Sequence, residues 1–299
     1  MARFYWVMLS LLLANSAAAS VEPLFGRESY RDVQATLRQL ESSYPLNAEV
    51  VAIGQADGGQ MIEALKIGSG AVKHLVVATH HGNEYGSTEV AKSFAASLAE
   101  SPVAGQTIYV IPVLNTAGFD SRSRREPAGG RTYDPNRDYP NPCGSEGPFR
   151  LKSTAALARF VEQEGIVAVA TLHTYSPAVV YPWGMGRGNL STHYDPIFEQ
   201  LAVAATVESR YEVGNSAEVI YPANGTFEDY VYWKHGVWSL LFEVGRSHSP
   251  GDKEVADMIR VNVPGLRRMF EQAPRERAER HEFEGQCDFR LLSLDRHDE

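Results

Sequence analysis

The sequence predicts a single α/β domain: a twisted, mostly parallel mixed sheet covered by helices on both faces. Three observations lead there. Short apolar runs alternate with segments of helical spacing. The strongest runs, residues 107–114, 167–172 and 237–244, are apolar enough to be strands buried on both sides. The chain has 299 residues and is 43% hydrophobic, which suffices for one large core.

The elements follow in order. Amphipathic spacing predicts a helix over residues 30–43, stopped by Pro45. Strands are expected at 49–53, 61–67 and 74–79, then a helix at 87–99 and a strand at 107–114. Residues 153–164 read as helix and 167–172 as a buried strand. Residues 196–209 read as helix, with Pro196 in the tolerated first turn and Asp195 as its cap. Residues 219–221 read as extended, 227–233 as helix and 237–244 as a buried strand. A long helix is expected at 252–272, kinked or broken at Pro264.

Organisation beyond the core is simple. Residues 1–19 read as a signal peptide: Arg3, an apolar stretch too short to span a bilayer, then small residues, with cleavage near Ala19. The folded domain is placed at 20–275 and a C-terminal tail at 276–299. The mature chain is therefore expected outside the cytoplasm, periplasmic or secreted, with no stable membrane association. A net charge of −9 argues against nucleic-acid binding, because no basic stripe is present. Cys143 and Cys287 either pair in an oxidising compartment or stay as two free thiols. Asn189-Leu190-Ser191 and Asn224-Gly225-Thr226 are formal glycosylation sequons.

Chemistry gathers at the strand ends. His80-His81 follows one apolar strand, Asn115 another, His173 a third, and Glu243 closes a fourth, the pattern of one shared cleft. His81, Glu84 and His173 form a sufficient ligand set for a catalytic zinc ion with an open fourth position. Gly82 and Asn83 suit a turn that aims His81 and Glu84 at one point. Sulfur ligation is disfavoured, since neither cysteine has a neighbour at ligand spacing. His80 is read as structural or as support for the ligands. Glu243 lies in an apolar run where an unpartnered acid would be costly, which favours a functional role.

From about residue 30 to about residue 270 the chain resembles the zinc carboxypeptidases typified by carboxypeptidases A and B. The resemblance rests on Ile53-Gly54-Gln55 and Gly59-Gln60-Met61-Ile62, His81-Gly82-Asn83-Glu84, Asp134-Pro135-Asn136-Arg137-Asp138 and Leu172-His173-Thr174-Tyr175-Ser176. It continues through Tyr181-Pro182-Trp183-Gly184, Tyr221, Gly225-Thr226, Asp229-Tyr230 and Leu241-Phe242-Glu243-Val244. The resemblance implies one zinc ion per chain on His81, Glu84 and His173, with Glu243 as general base. It implies that Asn136 and Arg137 grip the substrate's terminal carboxylate and that Tyr221 closes over it. Arg124 best matches the oxyanion arginine, with Arg122 and Arg125 as competitors. Glu228 falls near the position that shapes the side-chain pocket, where an acid would favour peptides ending in Lys or Arg. The chain departs from the family pattern at Asp138, which adds a negative charge expected near the carboxylate grip, at Asn115-Thr116-Ala117-Gly118, and at Asn83.

The expected activity is zinc-dependent hydrolysis of the C-terminal peptide bond. Two further enzyme readings share the motifs: an amidohydrolase of the aspartoacylase and succinylglutamate desuccinylase type, and trimming of cell-wall peptides. A metal-free binding protein on the same fold would lack a ligand or the base, and all four residues are present.

Overall fold

The computed structural model describes residues 28–144 and 149–287. The expected signal segment lies outside them. The first helix, α1 (Tyr30–Ser43), opens where Asp32 accepts hydrogen bonds from both the backbone N–H and the hydroxyl of Ser29. A hairpin of β1 (Ala48–Gln55) and β2 (Met61–Ile67) follows, then β3 (Val72–Ala78), α2 (Tyr85–Glu100) and β4 (Gln106–Ile111). Next come α3 (Thr116–Ser121), a small hairpin of β5 (Glu126–Ala128) and β6 (Arg131–Tyr133), and a 3-10 turn at Pro135–Arg137. The chain continues through α4 (Lys152–Glu164), β7 (Ala168–His173), β8 (Ala178–Tyr181), α5 (Asp195–Ala205) and β9 (Glu212–Asn215). It then forms α6 (Ser216–Val219), α7 (Phe227–His235), β10 (Trp238–Glu243) and α8 (Asp252–Gln272).

Among the described residues eight strands make one mixed sheet in the order β1-β2-β4-β3-β7-β10-β8-β9. The four central strands, β4, β3, β7 and β10, are mutually parallel, so their carboxyl ends share one edge. Period-two alternation sends Val76, Ala78, Ala170, Leu172, Leu240 and Phe242 to one face. There they meet Phe94 of α2, Phe198 of α5 and Phe270 of α8. Leu75, Val77 and Val169 point to the other face, against Leu157 of α4 and Val231 of α7. Burial of each Val, Leu or Phe among them contributes about 1.5–3 kcal/mol. Both faces are therefore apolar, which is why these strands read as unbroken hydrophobic runs.

Several local expectations are corrected. Val219 ends the short helix α6, and the extended segment is β9 just before it. The helix α8 runs unbroken through Pro264. Buried Leu266, Met269 and Phe270 beyond the proline hold the helix on course despite the roughly 3 kcal/mol that an interior proline costs. Asp195 lies inside α5, where its carboxylate accepts from the backbone and hydroxyl of Thr192. Cys143 and Cys287 are disulfide-bonded, which settles the two alternatives in favour of pairing. Asn224 is only 3% exposed, so its sequon is closed to modification, whereas Asn189 is exposed. Among the described residues no helix is long and apolar enough to cross a membrane.

Candidate metal centre and substrate cleft

The sheet edge brings the expected residues together. In the parallel pair β7 and β10, Glu243 stands in register with His173. Their neighbours alternate in phase, so both side chains emerge on the same side. Beyond β3 the chain turns at Thr79, a β-branched residue at φ 59°. Such a conformation is a strained outlier for Thr. It is held by contacts of the Thr79 hydroxyl with Thr88 Oγ1 (2.6 Å), Ser87 Oγ (3.2 Å) and the carbonyl of Pro112 (3.1 Å). The turn releases His80 and His81 from the sheet. Gly82 then passes so close to α3 that a Cβ there would lie 2.0 Å from the carbonyl carbon of Gly118. Glu84 occupies the N-cap position of α2.

Three donor atoms converge. His81 Nδ1 lies 2.8 Å from Glu84 Oε1 and 3.2 Å from His173 Nδ1, and His173 Nδ1 lies 3.1 Å from Glu84 Oε2. All three residues are buried, and their ligand atoms lie within 4.8 Å of one another. Zinc bonds of about 2.0–2.1 Å in tetrahedral geometry separate donors by about 3.3 Å, close to this spacing. Two imidazoles that turn the same ring nitrogen toward one another beside a carboxylate suit a shared cation. The donor set therefore fits zinc.

The electrostatics agree. Burial opposes charge on His81, but the carboxylates of Glu84 and Asp134 outweigh it and raise the imidazole to about 9. Burial likewise works against an ionised Glu84, yet His81 and His173 hold its carboxyl well below the usual range. Asp134 was given no role by the sequence reading, and it organises the site. Its Oδ1 lies 3.0 Å from His81 Nε2 and accepts the N–H of Asn136, while its Oδ2 accepts Arg124 Nε. A carboxylate on the outer nitrogen of a ligand histidine fixes the ring's orientation. Asp-Pro at the head of a 3-10 turn was the visible signal.

The remaining candidates surround this centre. Arg124 reaches to 3.2 Å from His81 Nδ1 and 3.8 Å from Glu84 Oε1. Its competitor Arg122 donates to the carbonyls of Phe119 and Glu28 and lies over the Phe119 ring. Asn136 accepts from Phe227 N, and its Nδ2 stands 3.5 Å from His173 Nε2. Arg137 donates to its neighbour's carbonyl and to the hydroxyl of Tyr221, a residue 53% exposed. Glu243 has an unpartnered buried Oε2, and burial followed by repulsion from Glu84 pushes its carboxyl up to about 8. Glu228 is 1% exposed, with its Oε2 also unpartnered, and its charge is felt at Glu243 and Arg137.

Asp138 has a structural task that the sequence did not announce. Its carboxylate accepts from the backbone of Arg150 and Leu151 and from the hydroxyl of Thr154. Leu151, the N-cap of α4, has no side-chain acceptor, so Asp138 supplies one from outside. Four further residues support the site; Asn115 was expected at the cleft without a specific partner, and the other three had no role assigned from sequence. Asn115 Nδ2 donates to the carbonyls of His80 and Arg124. Tyr139 bonds His80, whose ring stacks on His173. Asp229 accepts from the N–H groups of Gly184 and Met185. His248 approaches Thr174 Oγ1 to 3.4 Å. These are long-range partnerships that no local spacing encodes.

The zinc carboxypeptidase family profile matches residues 33–255. Carboxypeptidase B of Astacus astacus is 24% identical over 250 residues, covering 70% of this chain and 82% of the relative. Carboxypeptidase B of Homo sapiens is 25% identical over 258 residues, covering 72% of this chain and 62% of the relative. Bovine thrombin-activatable fibrinolysis inhibitor, solved in complex with tick carboxypeptidase inhibitor, superposes with a TM-score of 0.74 at 18% identity. That match covers 82% of this chain and 96% of the solved one. At that identity it speaks to the fold.

Proposed function

Because the chain belongs to the zinc carboxypeptidase family, we propose that it removes C-terminal residues from peptides, with His81, Glu84 and His173 holding one zinc ion. The observation that carries this reading is the convergence of these three donors beside Glu243, whose Oε2 is buried and unpartnered. Zinc so held supplies a Lewis acid that polarises the scissile carbonyl and acidifies water. Glu243 takes the proton of the attacking water and passes it to the leaving amine. Arg124, held by Asp134, donates to the oxyanion that develops on the carbonyl. Asn136 and Arg137 receive the terminal carboxylate, for which the guanidinium fork is suited. Tyr221, now on Arg137, shifts onto bound substrate. Glu228 faces the leaving residue and selects a basic side chain, because a buried acid with an open oxygen is better matched by a cation than by an apolar group.

We propose export of the mature chain as well. The reading is supported by the apolar, small-residue N-terminus and by a disulfide, a bond that persists in oxidising compartments. The test of function uses two peptides that end in lysine and differ only in C-terminal amidation, with released residues measured by mass spectrometry. The free acid should lose its lysine and the amide should stay intact. Equal cleavage of both would overturn the assignment of Arg137 and Asn136, since no free carboxylate would then be needed.

A further inference from the structure

We infer that residues 276–287 form a disulfide-closed strap that positions the wall of the leaving-residue pocket and so sets how tightly substrate is held. The kinetic part of this inference rests on the exopeptidase reading above.

The strap has a continuous line of contacts. Glu276 O accepts the indole N–H of Trp238, and Ala278 N donates to Gly236 O. Arg280 O accepts the hydroxyl of Tyr232, and His281 Nδ1 donates to Trp233 O. Phe283 then packs edge-on against Trp183, ring centroids 5.3 Å apart. Gln286 and Arg187 exchange backbone hydrogen bonds of 2.7 and 3.0 Å, and Cys287 closes onto Cys143.

What the strap covers is the significant point. Trp183 is buried, and the next two residues, Gly184 and Met185, donate their N–H groups to Asp229. Asp229 follows Glu228 on α7. The segment 183–188 is thus clasped between Asp229 on its inner side and the strap on its outer side. The other end of the disulfide, Cys143, lies six residues after Arg137. The intervening chain is tied by Tyr139 N to Gly225 O and by Cys143 N to the Asn141 side chain. One covalent link therefore joins the loop carrying the carboxylate grip to the support of the pocket wall. The strap carries no helix and pairs only through the isolated bridge at Arg187 and Gln286. Its other tethers are hydrogen bonds of modest individual strength, two of them from the Arg277 guanidinium to the carbonyls of Ile166 and Val161, and the packing of Ala278 and Phe283. Opening the disulfide frees its end to separate locally from Trp183.

The test compares the wild type with the double variant Cys143→Ser/Cys287→Ser and with Phe283→Ala. Opening the strap should raise KM for peptide substrates about fivefold or more while kcat stays within about twofold, the signature of lost uniform binding. Zinc content should stay at that of the wild type, and quenching of tryptophan fluorescence by acrylamide should increase. If the double variant does not fold, the folded wild type is opened with a phosphine, which avoids the zinc competition of a dithiol. Water supplies the oxygen of the phosphine oxide, two free thiols appear, and alkylation mass counts them. An unchanged KM and unchanged quenching in natively folded, opened protein would overturn the strap alone. Absence of residue release by the wild type would overturn the exopeptidase reading and the strap's kinetic role with it.

Discussion

Glu243 stands in register with the metal-ligand candidate His173 but is not itself among the three converging donors. Replacing it with Gln should leave zinc content unchanged and lower kcat by about 10²–10⁴, the usual worth of a positioned proton acceptor. Elemental analysis beside steady-state kinetics checks this, and comparable turnover would rule the base out. Glu228→Gln should cost roughly 30-fold in kcat/KM, about 2 kcal/mol, on peptides ending in Lys or Arg, and spare those ending in Leu. Equal loss on both classes would remove Glu228 from substrate selection. At this scale sequence reasoning named the residues that the fold draws together, because ligand spacing and a carboxylate in an apolar run are local signals. It missed Asp134 and Asp229, whose importance lies in what they bond across 53 and 45 residues. It did not foresee the contacts of Asp138 with the start of α4, since nothing near that residue in sequence announces a helix lacking its own cap more than ten positions away.

The turn between β3 and α2 places two ligands, and its geometry depends on Gly82. Gly82→Ala should destabilise the fold by about 1–3 kcal/mol through overpacking and weaken zinc retention, measured by urea unfolding and by metal content after dialysis. The contact of β5 with α4 gives a different test. Glu126 is buried, with one oxygen accepting from Ser153 and the other unpartnered. Burial, then the nearby Asp57 and Asp138, push its carboxyl up from 4.5 to about 7. Between those values the folded chain keeps a proton that the unfolded chain has lost. This contribution is therefore complete below pH 4.5 and disappears as pH rises through 7, by up to about 3 kcal/mol. Glu126→Gln should match the wild type near pH 4.5 and exceed it in unfolding free energy near pH 7.5. A difference independent of pH would contradict this. Long periodic elements such as α1 and α8 were legible from spacing. Elements of three or four residues, β5, β6, β8 and β9, were not, because hydrogen-bond partners distant in sequence define them.

The molecule as a whole draws four parallel strand ends to one edge, and that arrangement was readable because each strand ended on a reactive residue. The disulfide was not readable beyond the presence of two cysteines, since pairing depends on the approach of chain segments 144 residues apart. Its opening should lower global stability by roughly 5 kcal/mol on the chain-entropy account, seen as a lower urea midpoint. The most direct test of the central claim is release of lysine from a lysine-terminated peptide, followed by mass spectrometry as metal is removed and zinc restored. Hydrolysis that stops on metal removal and returns with zinc is the predicted result. Undiminished release from metal-free protein would contradict the assignment of His81, Glu84 and His173 as a catalytic zinc site.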